Sequence, residues 1–159
     1  MEPTLKRLSP AFWSLALLLG CSDKTFFRAD PPVSSQGLTM ALVDQGCDLD
    51  QDPDVASAYV QDTMVTVQVT NASPAAATID TAHIRLAWNK QSIAPDSRPE
   101  SVSLKPGGSS RVQLHFTPKG TDAACNNALT LSWNDAVTVA GKPVTVPPMK
   151  FQISERPDP

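Results

Sequence analysis

Four aspartates at alternate positions are the first side chains in this sequence that could do chemistry. They are Asp48, Asp50, Asp52 and Asp54, in the run DLDQDPD. Calcium favours six to eight oxygen ligands, and alternate carboxylates can converge on one ion if the backbone turns around it. The run therefore raises the hypothesis of a calcium-dependent binding domain that uses the acidic loop 48–54.

The same run resembles the opening of a calcium-binding loop but departs from it further along. Pro53 stands where such a loop has its turning glycine, and Tyr59 stands where it has its closing glutamate. The alternative is a solvated acidic loop whose charges repel one another. We expect little calcium-specific stabilisation, and the sequence predicts no metal site and no cofactor.

The two histidines, His83 and His115, are the next candidate ligands. The alternation of apolar and polar residues around each predicts that both lie on outward faces of strands. Zinc normally takes three or four protein ligands, so a pair of exposed histidines does not complete a site. We interpret both as surface residues.

Catalytic motifs are the third kind of chemistry to consider. Neither a nucleophile elbow nor a metalloprotease motif is present, and Glu100 and Glu155 are the only glutamates after residue 20. Hydrolytic catalysis needs a nucleophile, a base and an orienting group brought together. The sequence therefore favours a protein that is not an enzyme.

The N-terminus has the features of a secretory signal. Lys6 and Arg7 precede a nine-residue, mostly apolar run from Ala11 to Leu19, and the small residue Gly20 follows. A membrane-spanning helix needs about 20 apolar residues, so this run is too short to be a permanent anchor. Ordinary secretion after cleavage stays an alternative.

The stretch Leu18-Leu19-Gly20-Cys21 resembles the lipobox of bacterial lipoproteins. The resemblance implies that residues 1–20 are removed and that Cys21 is lipidated. Each buried methylene contributes about 0.8 kcal/mol, so two or three acyl chains hold a protein on a membrane. By the same resemblance, Ser22 favours the outer membrane. We expect a lipid-anchored cell-envelope protein that faces either the periplasm or the exterior.

Charge excludes a nucleic-acid partner. The formal charge of the whole chain is −3, and loss of Glu2, Lys6 and Arg7 with the signal makes it −4. Binding to phosphates needs a basic stripe, yet no lysine or arginine lies between Arg28 and Arg85. The expected partner is another envelope protein.

Two cysteines remain once Cys21 is assigned to lipid. In an oxidising compartment, Cys47 and Cys125 are expected to form a disulfide. The bridge would close a long loop and stabilise the fold by on the order of 4 kcal/mol. The alternative is two buried free thiols.

Apolar alternation predicts strands through most of the chain after residue 37. The strongest patterns are those of 65–70, 84–88, 112–116, 129–133 and 151–153, and weaker ones are 38–43, 102–105 and 144–146. Trp88 and Trp133 fall on the inward phase, which predicts core residues rather than a sugar-stacking surface. About seven strands with turn signals between them are typical of an antiparallel sandwich.

The strand ending at Asn71, the turn Leu104-Lys105-Pro106-Gly107 and the alternation up to Phe116 resemble the immunoglobulin-like modules of bacterial envelope proteins. The resemblance implies an all-β, antiparallel immunoglobulin-like β-sandwich over residues 37–154. A lipid-anchored linker, 21–36, precedes it, and a tail, 155–159, follows. We expect a non-catalytic binding or structural module.

Overall fold

The computed structural model describes residues 31–88, 90–96, 100–120 and 128–152. Residues 1–20, expected to be a signal peptide, and Cys21, Cys125 and the tail 155–159 lie outside these ranges. Within them the chain is all-β and antiparallel, as predicted, with one short 3-10 helix at Thr81–His83. No helix in the described ranges is long and apolar enough to cross a membrane.

Thirteen strands occur in the described ranges. They are β1 Val33–Ser35, β2 Leu38–Gln51, β3 Tyr59–Asn71, β4 Ala77–Asp80, β5 Arg85–Trp88, β6 Gln91–Ile93, β7 Ser101–Leu104, β8 Ser109–Phe116, β9 Lys119–Gly120, β10 Ala128–Ser132, β11 Val137–Val139, β12 Lys142–Pro143 and β13 Met149–Gln152. The first sheet has the order β1-β2-β3-β8, with β9 also paired to β3. The second has the order β13-β10-β5-β6, and the third β12-β11-β4-β7.

All three sheets contribute to one hydrophobic core. Leu38 and Val67 come from the first sheet, Leu86 and Leu131 from the second, and Ile79 from the third; all are buried. Burial of apolar surface on this scale is the main favourable contribution to folding. The sheets therefore form a single packed unit.

The two tryptophans lie in this core, which confirms their predicted place. Trp88 ends β5 and Trp133 directly follows β10, and both are buried. Neither indole nitrogen has a hydrogen-bond partner in the described part of the chain. The rings serve packing and offer no exposed stacking surface.

A β-bulge at Val43 shapes the long hairpin made by β2 and β3. The register shifts between Leu42 and Asp44, so Val43 has no opposite residue on β3. Side chains alternate faces with a period of two, and one extra residue reverses the parity of everything after it. Leu42 and Cys47 are therefore both buried although one is even-numbered and one is odd-numbered, and Val43 is exposed.

A buried asparagine joins the end of β3 to the turn between β7 and β8. The Asn71 amide nitrogen donates to the carbonyls of Ala75, Leu104 and Lys105, and its side-chain oxygen accepts from Ser73 N–H and Oγ–H. Gly107 N–H donates to Asn71 C=O. Every polar group of the Asn71 side chain is thus satisfied away from water.

The β1–β2 turn has two residues in the left-handed region, Gln36 with φ 45° and Gly37 with φ 81°. Two such residues make the hairpin turn whose twist matches that of the strands. A Cβ at Gly37 would also lie 3.0 Å from the Ser73 nitrogen. Glycine is therefore required at this position by conformation and by space.

Three details differ from the sequence-based expectations. Val33–Ser35, expected in the linker 21–36, form strand β1, so the sheet begins before residue 37. Residues 144–146, expected as a weak strand, are not one. Val144 N–H still donates to Val137 C=O, but the prolines at 147 and 148 lack the N–H groups that a strand ladder uses. The described ranges hold thirteen strands rather than about seven, because several are only two to four residues long.

Candidate functional site

The free end of the β2–β3 hairpin, residues 48–62, is named the hairpin end. Leu49 lies opposite Gln61 and Gln51 lies opposite Tyr59, so these four side chains share one face of the ladder. The other face carries Asp48, Asp50, Val60 and Asp62 by the same register. The hairpin end therefore has one mixed apolar face and one acidic face.

Exposed apolar side chains concentrate at the hairpin end. Leu49 is 38% exposed, Tyr59 is 43% exposed and Val55, in the connecting loop, is 49% exposed. Among the described residues, the only other exposed large apolar side chain is Val43, at the bulge. Leu49 and Tyr59 are diagonal neighbours, a spacing within reach of an aromatic ring. Tyrosine is enriched among the residues that dominate binding energy at interfaces.

Hydrogen bonds within the connecting loop hold its shape. Asp52 N–H donates to Ala58 C=O and Ala58 N–H donates to Val55 C=O, both at 2.9 Å. The Asp52 carboxylate accepts from Asp54 N–H, also at 2.9 Å, and Gln51 Nε2 donates to the Ala56 carbonyl. A loop ordered in this way loses little conformational entropy on binding.

The four aspartates of the calcium hypothesis do not come together around one point. Asp48 and Asp50 belong to strand β2, where the backbone is extended. The Asp52 carboxylate is buried and accepts the Asp54 N–H, so it supports the loop backbone. In the described ranges there is no group of three or more histidine, cysteine or acidic side chains arranged to hold a metal ion.

His115 lies on β8 between two carboxylates, an arrangement that the sequence did not indicate. Its Nε2 is in close contact with Asp62 Oδ1, and its Nδ1 is 3.7 Å from Asp96 Oδ2. Thr117 Oγ1 donates to the same Asp96 oxygen, and Asp96 N–H donates to the His115 carbonyl. The cluster ties the segment after β6 to the outer face of the first sheet.

His83 lies apart from this cluster. It ends the 3-10 helix rather than lying in a strand, and its Nε2 is 3.7 Å from Asp80 Oδ2. Asp80 also accepts the Ala82 N–H and so caps that helix. The expectation that His83 lies in a strand is wrong, while both histidines are surface residues as predicted.

Cys47 is fully buried on β2, opposite Thr63 and just before the hairpin end. Cys125 lies outside the described residues, so the Cys47–Cys125 disulfide stays a prediction. Gln61, on the next inward position of β3, is also fully buried. Its Nε2 donates to Thr63 Oγ1, whereas its Oε1 has no partner among the described residues.

Two of these features could not be read from the sequence. The His115 cluster depends on the β3–β8 register and on the path of the chain after β6, which are long-range properties. The exposed face of Leu49 and Tyr59 depends on the bulge at Val43, which leaves no sequence signal of its own.

Comparison with solved structures finds proteins of similar fold. The chain superposes on ycdA, a candidate lipoprotein of Bacillus subtilis, with a TM-score of 0.55 and 14% identity, covering 79% of this chain and 39% of that one. It also matches the structural-genomics target SoR45 with a TM-score of 0.50 and 9% identity, covering 77% and 89% of the two chains. The chain thus spans about two fifths of the length of ycdA.

At these identities the similarity concerns the fold alone. No protein-family model matches the sequence, and comparison with curated proteins finds no significant match.

Proposed function

We propose that the protein is a bacterial envelope lipoprotein whose single immunoglobulin-like domain binds another envelope component without catalysis. Cys21 carries the lipid, most simply at the outer membrane, and the residues before β1 act as a tether. The hairpin end carries the partner surface. Its preorganised loop and its exposed apolar face are the observation that carries the proposal.

The envelope assignment has two supports. The first is the lipobox resemblance of Leu18-Leu19-Gly20-Cys21. The second is the shared fold with ycdA, a candidate lipoprotein. The immunoglobulin-like description is supported by antiparallel sheets around one core and by the Pro106-Gly107 turn that follows the pattern of such modules.

The binding surface is supported by its composition. Leu49 and Tyr59 share one face, and Val55 projects from a loop with internal hydrogen bonds. Interfaces centre on exposed aromatic and apolar anchors surrounded by polar residues.

A non-catalytic role agrees with the surroundings of His115, which has a carboxylate near each of its two ring nitrogens. Asp62 and Asp96 face the two ring nitrogens of His115. A general base that activates a nucleophile needs one nitrogen directed at that nucleophile. The cluster is better suited to holding two parts of the fold together.

The anchor is tested by replacing its lipidated residue. Cys21→Ala should abolish incorporation of labelled fatty acid and leave an unprocessed or soluble form. Ser22→Ala is the matched control, since it changes the neighbouring residue but leaves Cys21 in place. If Cys21→Ala keeps the mass and the membrane fractionation of the wild type, the lipoprotein assignment is wrong.

The partner surface is tested by crosslinking intact membranes and recovering the protein with whatever is attached. Tyr59→Ala and Leu49→Asp should each lower recovery of the crosslinked partner by about tenfold or more, as expected when an interface anchor is lost. Val43→Asp, at an equally exposed site on the same strand, should leave recovery unchanged. Equal recovery from all four proteins would refute a role for the hairpin end.

A further inference from the structure

An apolar groove lies at the edge of the first sheet, between β1 and β13 and away from the hairpin end. It has a volume of about 220 Å³. Its lining consists of Pro31, Val33, Leu42, Pro148, Met149 and Lys150. Sites for drug-sized ligands typically measure about 300–1,000 Å³, so this groove suits something smaller, such as one large side chain.

The N-terminal segment of the chain enters the domain at this groove. Pro31, the first described residue, is part of its lining, and Val33 follows on β1. Phe27 precedes Pro31 by four residues. An extended chain covers at most about 3.6 Å per residue, which keeps Phe27 within about 14 Å of Pro31. A phenyl ring is thus available within reach of the groove.

The lining is suited to an aromatic ring more than to an alkyl chain. Met149 contributes a thioether, which makes favourable contacts with ring edges. Lys150 also lines the groove and is exposed, and an ammonium group near a ring is attracted to the face of that ring. The proline rings and the aliphatic side chains of Val33 and Leu42 complete an apolar wall.

We propose that the groove is the docking site for Phe27 of the segment that precedes the domain. Phe27 is only four residues from Pro31, so the effective concentration of its ring at the groove is high. Even a weak intrinsic affinity of the ring for the groove is then enough for docking. Docking fixes residues 28–31 against the domain and leaves 21–26 as the free tether. The domain is then held closer to the membrane than an unattached linker would allow. Docking of Phe27 needs no lipid, so it can be tested independently of the proposed lipid anchor.

The test uses methionine methyl NMR on the purified protein in detergent micelles. Met149 reports on the groove, whereas Met40 lies in the core and Met64 on the outer face of the first sheet. A nearby aromatic ring displaces a methyl resonance. Phe27→Leu keeps the side chain apolar but removes the ring, and Phe26→Leu is the matched control one residue away.

Phe27→Leu should move the Met149 resonance and leave those of Met40 and Met64 in place, and Phe26→Leu should move none of them. An unchanged Met149 resonance in Phe27→Leu overturns the proposal. A response to Phe26→Leu in its place overturns the assignment to Phe27. If the Met149 resonance follows detergent chain length and ignores both substitutions, the occupant is a hydrocarbon chain and the proposal is wrong.

Discussion

The two halves of the β2–β3 hairpin share one continuous ladder but differ in what they bury. In the first half, Leu38 and Val67 are buried against the other sheets. In the second half, the inward positions beyond Cys47 and Gln61 are those of Leu49 and Tyr59, and both are exposed. The backbone pairing is equally regular in both halves, so the difference lies in what covers each face. Strand regularity alone does not distinguish a core from a binding surface.

The two halves also treat buried amides differently. Asn71, at the core end of β3, has its whole amide group hydrogen-bonded. Gln61, at the other end of the same strand, is equally buried but leaves Oε1 without a partner among the described residues. The described residues therefore satisfy the whole Asn71 amide but only the nitrogen of the Gln61 amide.

The largest expected effect is the loss of the predicted Cys47–Cys125 disulfide, which would join the second half of the hairpin to a distant part of the chain. If Cys47 is bonded to Cys125, Cys47→Ala should lower the free energy of unfolding by on the order of 4 kcal/mol, because the long loop is no longer closed in the unfolded state. Denaturant unfolding measures this loss.

The double variant Cys47→Ala with Cys125→Ala serves as the control for that disulfide. It should cost no more than either single variant, since one bond is lost in each case. Strictly additive losses, together with free-thiol labelling of both cysteines in native protein, would show that the disulfide does not form.

Two leucines on β2 give the next largest contrast. Leu38→Ala removes a buried side chain and should cost about 2–5 kcal/mol, whereas Leu49→Ala, at an exposed position, should cost less than about 1 kcal/mol. Both values come from urea titration of the free energy of unfolding. Equal costs would mean that the hairpin end is packed as tightly as the core, which contradicts the comparison.

The buried amides provide a smaller contrast. Asn71→Ala should cost about 2–3 kcal/mol, because several backbone groups lose their partner away from water. Gln61→Met, which replaces an incompletely bonded amide by an apolar side chain of similar size, should change stability by less than about 1 kcal/mol. Asn134→Ala is the control, because it makes the same asparagine-to-alanine replacement at an exposed position. A loss at Gln61 as large as that at Asn71 would show that Gln61 is equally well bonded.

The smallest expected effect is that of calcium. A site filled at 100 times its dissociation constant would stabilise the fold by about 2.7 kcal/mol. Because Asp48 and Asp50 lie on an extended strand and Asp52 supports the loop backbone, calcium should shift Tm no more than equal magnesium does. A calcium-specific shift that disappears in Asp48→Asn with Asp50→Asn would make the acidic run a metal site after all.

Much of the core was predictable from local pattern. The alternation of Val65, Val67 and Val69 identifies an inward face, and the same period places Trp88 and Trp133 in the core. Such patterns are local, because one buried face imposes a period of two on a strand. The turn around Gly107 was predictable for a similar reason, since proline and glycine restrict the backbone directly.

The hairpin end was not predictable from such patterns. Asp48–Gln51 are exposed at every position, so no hydrophobic period marks them as strand. Val43 looks like an ordinary strand residue, and only the pairing with β3 reveals the bulge. The contact of His115 with Asp62 and Asp96 likewise depends on register and on the path of a distant segment. A candidate surface whose residues are brought together by long-range pairing can be identified only from the structure.

The measurement that tests the central claim most directly is site-specific photocrosslinking in living cells. A photoreactive amino acid is placed at Tyr59 in one protein and at Val43 in another; the two positions lie on the same hairpin and are 43% and 41% exposed. The account predicts one discrete, higher-mass adduct from position 59 and none from position 43. Adducts of equal yield from both positions, or an adduct from position 43 alone, would contradict the assignment of the partner surface to the hairpin end.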